Sequence, residues 1–269
     1  MALEIRPLSP HLGAEIIGLD LHESFDEDTA AQLRQAYRDH HLLLVRQDGV
    51  TEEEQVRFSK LFGDLLVRNS YDGSRGLEAH YISNSRPDGV LPIGEIEFHH
   101  DQIFYEKPLK AGILYAIEVP ASGSATRFRN VSALLDKIPE ELRGKAENIR
   151  CLHFFSYGEG DYSAKQDPNK ETAKSQRAWQ PLIWTDPETG RKAVWAARIT
   201  TVDYEGISKS EGEQLLQHLW QIAEDSDELS YTHRWRTGDL LVWDNRMLAH
   251  ARLPFQSSEP RTLRRTSAI

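Results

Sequence analysis

The spacing of apolar positions changes near residue 80. Before it, 26–40 carries Ala30, Leu33 and Tyr37 at helical spacing. A second helix is announced by the capping-box pair Thr51 and Glu54, runs through Val56, Phe58, Leu61 and Phe62, and meets a stop at Gly63. Short β-prone runs at 2–6, 14–17 and 41–45 complete a strand-helix-strand-helix opening. From residue 80 the texture is short β-rich runs, at 80–84, 95–101, 111–118, 148–156, 181–184, 193–199, 229–235, 239–243, 246–252 and 261–267. Helices are predicted only near 130–145 and at 208–223, the latter opened by Ser208 and Glu211. Many short strands without regular βαβ alternation predict an α+β, mainly β chain, a barrel, sandwich or jelly roll rather than a doubly wound sheet. The stretch 156–179 is polar and follows neither period, which predicts a mobile loop, placed to act as a lid, within a single domain spanning 1–269.

Charge narrows the function. The 269 residues hold 32 Lys+Arg against 42 Asp+Glu, a net charge of −10, and the basic residues are scattered among acids. Nucleic acid is therefore not an expected partner, since phosphate contacts need clustered cations. The one basic cluster is 261–265. A single cysteine, Cys151, excludes an intramolecular disulfide and a Cys-rich zinc site, so a reducing cytoplasm is the expected location. No run approaches 18 apolar residues, and Glu4 and Arg6 stand where a signal peptide would be apolar, so neither membrane insertion nor export is expected.

The chemistry-bearing residues lie in three strands. In EIEFHHDQIF (95–104), His99 and Asp101 are two apart, a spacing that puts both on one face of a strand while His100 faces away. Downstream, His250 sits at the edge of another apolar strand. Two imidazoles and a carboxylate on a ferrous ion leave three coordination positions, enough for a bidentate cosubstrate plus dioxygen. A zinc hydrolase needs one open position, and ligand types alone do not choose between the metals. In PRTLRRTSA (260–268), Arg261, Leu263 and Arg265 share a face. Their guanidiniums stand roughly 13 Å apart along the chain and could line one anion-binding pocket. The alternative for this segment is a cationic strand on the exterior.

Taken together, His99-x-Asp101, WDNR followed by His250, and Arg261 eleven residues later resemble the taurine dioxygenase/2,4-dichlorophenoxyacetate dioxygenase family of non-haem Fe(II), 2-oxoglutarate-dependent oxygenases. LGAEIIGLDL (12–21), LLLVRQDGVTEEEQVRFSKLFGDL (42–65), PETGRKAVW (187–195), ISKSEGEQLLQHL (207–219) and WRTGDLLVWDNR (235–246) extend the likeness nearly end to end. It implies a double-stranded β-helix, a jelly-roll or cupin-like core with flanking helices. It further implies His99, Asp101 and His250 as iron ligands, Arg261 as partner of the distal carboxylate of 2-oxoglutarate, and Thr126 as a hydrogen bond to that cosubstrate. Arg265 stands where a second arginine holds the substrate's anionic group. The implied reaction consumes O2 and 2-oxoglutarate, releases succinate and CO2, and hydroxylates or desaturates an unactivated carbon of a small molecule. With Asp101 present, the position that halogenases leave for chloride is filled.

The departures bear on substrate. Phe98-His99-His100-Asp101 replaces the family's Trp-His-Thr-Asp, RNSYDGSRG (68–76) lacks the histidine and tyrosine pattern expected of a taurine site, and Glu95 replaces a neutral amide. Taurine is not the expected substrate. Glu95 and Glu97 share strand parity with His99, so an acidic group opposite Arg265 would suit an amino-acid-derived anion; the alternative is that both glutamates face solvent. His153, Phe154, Phe155 and Tyr157 border the substrate by resemblance, Phe155 among them as a contact. Family members often form dimers or tetramers. Two rivals share the pocket: a zinc-dependent hydrolase and a non-catalytic jelly-roll binding protein.

Overall fold

The structure, a computed structural model, describes residues 3–69, 76–90, 94–157 and 164–269. Two sheets face each other. The larger has eight strands in the order Glu4–Pro7, Ala14–Ile17, Leu42–Arg46, Asp239–Asp244, Ala111–Glu118, Thr262–Ala268, Ala79–Ser83 and Gly89–Val90. The smaller runs Ser230–Arg234, Ala125–Asn130, Leu248–Arg252, Ile96–His99. Leu114, Leu241, Trp243 and Leu263 of the larger sheet meet Phe128 and Leu248 of the smaller in one buried cluster, so the interior is the space between the sheets. This is the expected jelly-roll core of an α+β, mainly β chain.

Strand alternation assigns each face. Along Asp239–Asp244, Leu241 and Trp243 point inward while Leu240 and Val242 point outward. On that outer face they meet helices α1 (Glu27–His40) and α2 (Glu52–Ser59) through Leu33, Tyr37 and Phe58. Helices α3 (Glu140–Ala146) and α4 (Lys209–Asp225) join Ala249 of the smaller sheet and Cys151 of the strand Arg150–Phe155 in a second buried cluster through Ala146, Leu215, Leu216 and Leu219. The caps form as read from sequence: Thr51 with Glu54 and Ser208 with Glu211 each close a reciprocal box. Helix α2 ends at Ser59, four residues before Gly63, and the chain beyond it tightens into i→i−3 turns, with Leu61 donating to the Phe58 carbonyl and Phe62 to that of Ser59. No helix among the described residues is long and apolar enough to cross a membrane.

Two segments differ from expectation. Part of the 156–179 stretch is ordered by its own contacts: Ser156 donates through its amide to Gln166 Oε1 (3.1 Å), and Gln176–Pro181 is a strand paired with Arg150–Phe155. Residues 158–163 of the expected lid, 156–179, lie outside the described residues. The strand Ala125–Asn130, which carries Thr126, was not legible as a strand at all.

One close approach fixes the interior beneath the site. Gly112 lies opposite Trp243 in register, and a Cβ there would stand 2.2 Å from the indole ring. Only glycine lets Trp243 lie against His250 (ring centroids 4.9 Å) and under Arg265 (5.9 Å). Replacing Gly112 with Ala should therefore cost about 1–3 kcal/mol by overpacking. Chemical denaturation measures this; an unchanged midpoint would show that the indole can move aside.

Candidate active site

His99 is the last residue of its strand and lies directly opposite His250 in register, with ring centroids 4.2 Å apart. Asp101 lies beyond the strand end, in a turn whose next residue, Gln102, has φ +57°. Shared strand parity, which the two-residue spacing predicts, therefore does not bring Asp101 to the histidines. Asn245 does: its side chain accepts from the Asp101 amide (2.8 Å) and donates to the carbonyls of Asp101 (3.0 Å) and Leu109 (2.8 Å). Its own carbonyl accepts from His100 Nδ1 (2.7 Å), which holds that ring in the buried wall.

Ligand atoms of His99, Asp101 and His250 all lie within 4.8 Å of one another. His99 Nδ1 donates to the Glu97 carbonyl (2.8 Å), which fixes the proton there and leaves the Nε2 lone pair for a metal. His250 Nε2 stands 3.4 Å from the Asp101 carboxylate. Burial, reinforced by His99, keeps His250 well below the usual imidazole range, and burial likewise lowers His100 to about 4. Burial alone would raise Asp101, but Arg265, His250 and His99 beside it hold it well below the usual carboxylate range. An ionised carboxylate beside neutral imidazole nitrogen is the donor state that a divalent ion requires.

Arg265 donates to both carboxylate oxygens of Asp101, and its Nε donates to Ser267 Oγ (3.2 Å). It helps line a cavity of about 230 Å³ that opens onto His99 and Asp101. Arg68, His80, Phe155, Tyr157 and Thr200 share that wall. Phe104 stacks on Phe155 at 4.6 Å, and Tyr157 packs edge-on against Phe155 at 4.9 Å. Burial, with Arg265 adding, lowers His80 to about 3, so it meets the chamber uncharged. Glu95 and Glu97 are exposed, and both line a different cavity, between the smaller sheet and α4. The structure does not bring them to the chamber. Residues 70–75, most of the RNSYDGSRG segment, lie outside the described residues.

Arg261 is 3% exposed and donates to Ser124 Oγ (2.8 Å), two residues before Thr126. Trp235 Nε1 donates to the Thr126 hydroxyl (3.0 Å). Burial lowers Arg261 to about 9, with Arg252 adding to the effect, and no carboxylate among the described residues offsets it. A buried guanidinium in that state is a site for an anionic group. Sequence reasoning missed Arg252, although its parity with His250 pointed inward, and missed the clamp role of Asn245 within WDNR. Thr200 and Arg68 carried no sequence signal.

If Asn245 sets the Asp101 turn, Asn245→Leu should weaken divalent-metal binding by about 10- to 100-fold, the usual effect of losing an orienting partner. Equilibrium titration with Mn(II) measures it, and unchanged affinity would mean that the turn holds without the clamp.

Comparison with known proteins places this geometry. The model of the taurine catabolism dioxygenase TauD, TfdA family matches residues 4–267. The chain is 28% identical over 289 residues to the alpha-ketoglutarate-dependent 2,4-dichlorophenoxyacetate dioxygenase of Cupriavidus pinatubonensis, covering 100% of this chain and 98% of the relative. It is 27% identical to the alpha-ketoglutarate-dependent sulfate ester dioxygenase of Pseudomonas putida, covering 99% and 89%. The crystal structure of AAD-2 in complex with Mn(II) and N-oxalylglycine superposes with a TM-score of 0.81 at 26% identity, covering 100% of this chain and 97% of that one. The protein belongs to the taurine catabolism dioxygenase TauD, TfdA family, and is an enzyme that uses Fe(II), 2-oxoglutarate and O2 to oxidise a small molecule.

Proposed function

We propose that His99, Asp101 and His250 hold the iron, that Arg261 and Thr126 seat 2-oxoglutarate, and that the chamber beside Arg265 takes a small organic anion for hydroxylation or desaturation. The observation that carries this reading is the convergence of the three ligand atoms within 4.8 Å at the mouth of the Arg265 chamber. Iron, when bound, supplies the redox chemistry by which O2 and 2-oxoglutarate are consumed to succinate and CO2. The protein supplies placement. Arg261 fixes the distal carboxylate of the cosubstrate. Thr126, already accepting from Trp235, has its own hydroxyl proton left to donate.

The Phe104, Phe155 and Tyr157 cluster walls the chamber with ring faces and excludes water from the reacting carbon. 2,4-Dichlorophenoxyacetate and sulfate esters, for which two relatives are named, each present an anionic group. A chamber with arginines and stacked aromatics suits that class. An amino-acid-derived substrate loses its support, because Glu95 faces solvent away from Arg265. Family membership sets aside the zinc-dependent hydrolase and the non-catalytic binding protein, both compatible with the donor set alone.

Anaerobic addition of 2-oxoglutarate to the Fe(II)-loaded protein should give a visible charge-transfer band; no band would refute chelation at this site. Arg261→Leu should raise the 2-oxoglutarate KM about 30-fold, the loss of a roughly 2 kcal/mol charge-assisted contact. Arg265→Leu should raise the KM of the primary substrate while uncoupled 2-oxoglutarate decay continues. Equal loss of both activities would contradict the assignment of Arg265 to substrate.

A further inference from the structure

His153 is fully buried, yet it belongs neither to the ligand set nor to the cosubstrate residues. Its Nδ1 lies 2.9 Å from Thr200 Oγ1, while its Nε2 has no hydrogen-bond partner among the described residues. Burial, with His100 adding, lowers it to about 3, so it is neutral. The single proton belongs on Nδ1, because a proton on Nε2 would be a buried N–H without an acceptor, the rarer and costlier defect. Nδ1–H then donates to Thr200 Oγ1, and the Thr200 hydroxyl proton is directed away from His153. Thr200 lines the chamber that holds His99 and Asp101.

The backbone at this point is irregular in a way that aims the side chain. Register between Arg150–Phe155 and Thr201–Glu205 passes from Leu152 opposite Asp203 to His153 opposite Thr201, a bulge of one residue. The Thr200 carbonyl accepts from the Phe154 amide (2.9 Å), which anchors the residue just beyond it. Bulges beside binding sites re-aim side chains in this manner.

We propose that Thr200 is a specificity residue: its hydroxyl, oriented by His153, donates a hydrogen bond to a neutral ether or carbonyl oxygen of the primary substrate. The anionic group falls to Arg265. The substrate class is thus an organic acid with a second, uncharged oxygen acceptor, and His153 is a positioning residue that acts through Thr200. This rests on reading the Arg265 chamber as the substrate site.

The test uses matched acids that differ by oxygen against methylene, such as phenoxyacetate against 3-phenylpropionate, scored by substrate-dependent succinate release. The wild type should favour the oxygen member by about tenfold or more in kcat/KM. Thr200→Val should abolish the preference by weakening the oxygen member alone, Thr200→Ser should restore it, and His153→Phe should act like Thr200→Val. A merely structural role would lower both members together. A wild type indifferent to every pair, or a Thr200→Val protein that keeps its preference or loses both members alike, overturns the proposal. Absence of the Fe(II)–2-oxoglutarate band in the wild type would instead strike the reading of the site itself.

Discussion

A carboxylate set between two imidazoles inside a protein must be compensated, and this requirement organises the molecule around Asp101. Leaving such a charge unpaired would cost several kcal/mol. Arg265 reaches Asp101 from the larger sheet and shares that compensation with the divalent ion the triad would hold, while His99 and His250 come from the smaller sheet. The site therefore exists only when both sheets close on each other. The inward parity of Arg265, the packing of Trp243 on His250, and the absence of a side chain at Gly112 are consequences of that closure.

Buried arginines extend the theme. The chain is acidic overall, yet Arg129, Arg252, Arg261, Arg264 and Arg265 are all buried. Arg252 donates through Nε to the Gly94 carbonyl (2.8 Å). Arg264, on the outward face of its strand, donates to the carbonyls of Val50 and Thr51 and to Gln55 Oε1, tying the start of α2 to the sheet. Arg129 lies over the Phe98 ring at 4.1 Å and donates to Ser230 Oγ. Arg261 and Arg265 face inward, separated from Arg264 by one step of strand alternation. One basic cluster in the sequence is thus split by the β period into a structural cation and two inward-facing cations, which we propose bind the anions.

The proposed ligand residues stand out in the sequence because imidazoles and carboxylates are chemically conspicuous, but strand parity does not explain the position of one of them. The strand ends at His99, so Asp101 reaches the site through a turn clamped by Asn245, a tertiary contact that no local spacing reveals. The strand Ala125–Asn130 escaped notice because Arg127 and Arg129 interrupt its apolar pattern, and their partners, Phe98 among them, come from distant segments. Gly63 misled in the same way: a glycine after an apolar periodic run reads as a stop, yet the helix had already closed at Lys60. Strands with continuous apolar runs, such as Ala111–Glu118 and Asp239–Asp244, were read with bounds correct to within a residue. The pairing of Thr200 with His153 depends on a bulge between strands and left no trace in the sequence.

Asp101 is proposed as the anionic member of an iron-binding triad, and anaerobic Fe(II) titration of the wild type against Asp101→Ala tests that role most directly. The wild type should bind one ion per chain, and Asp101→Ala should lose at least about 100-fold in affinity. An Asp101→Ala protein that bound iron as tightly as the wild type, and still released succinate with substrate, would contradict the account.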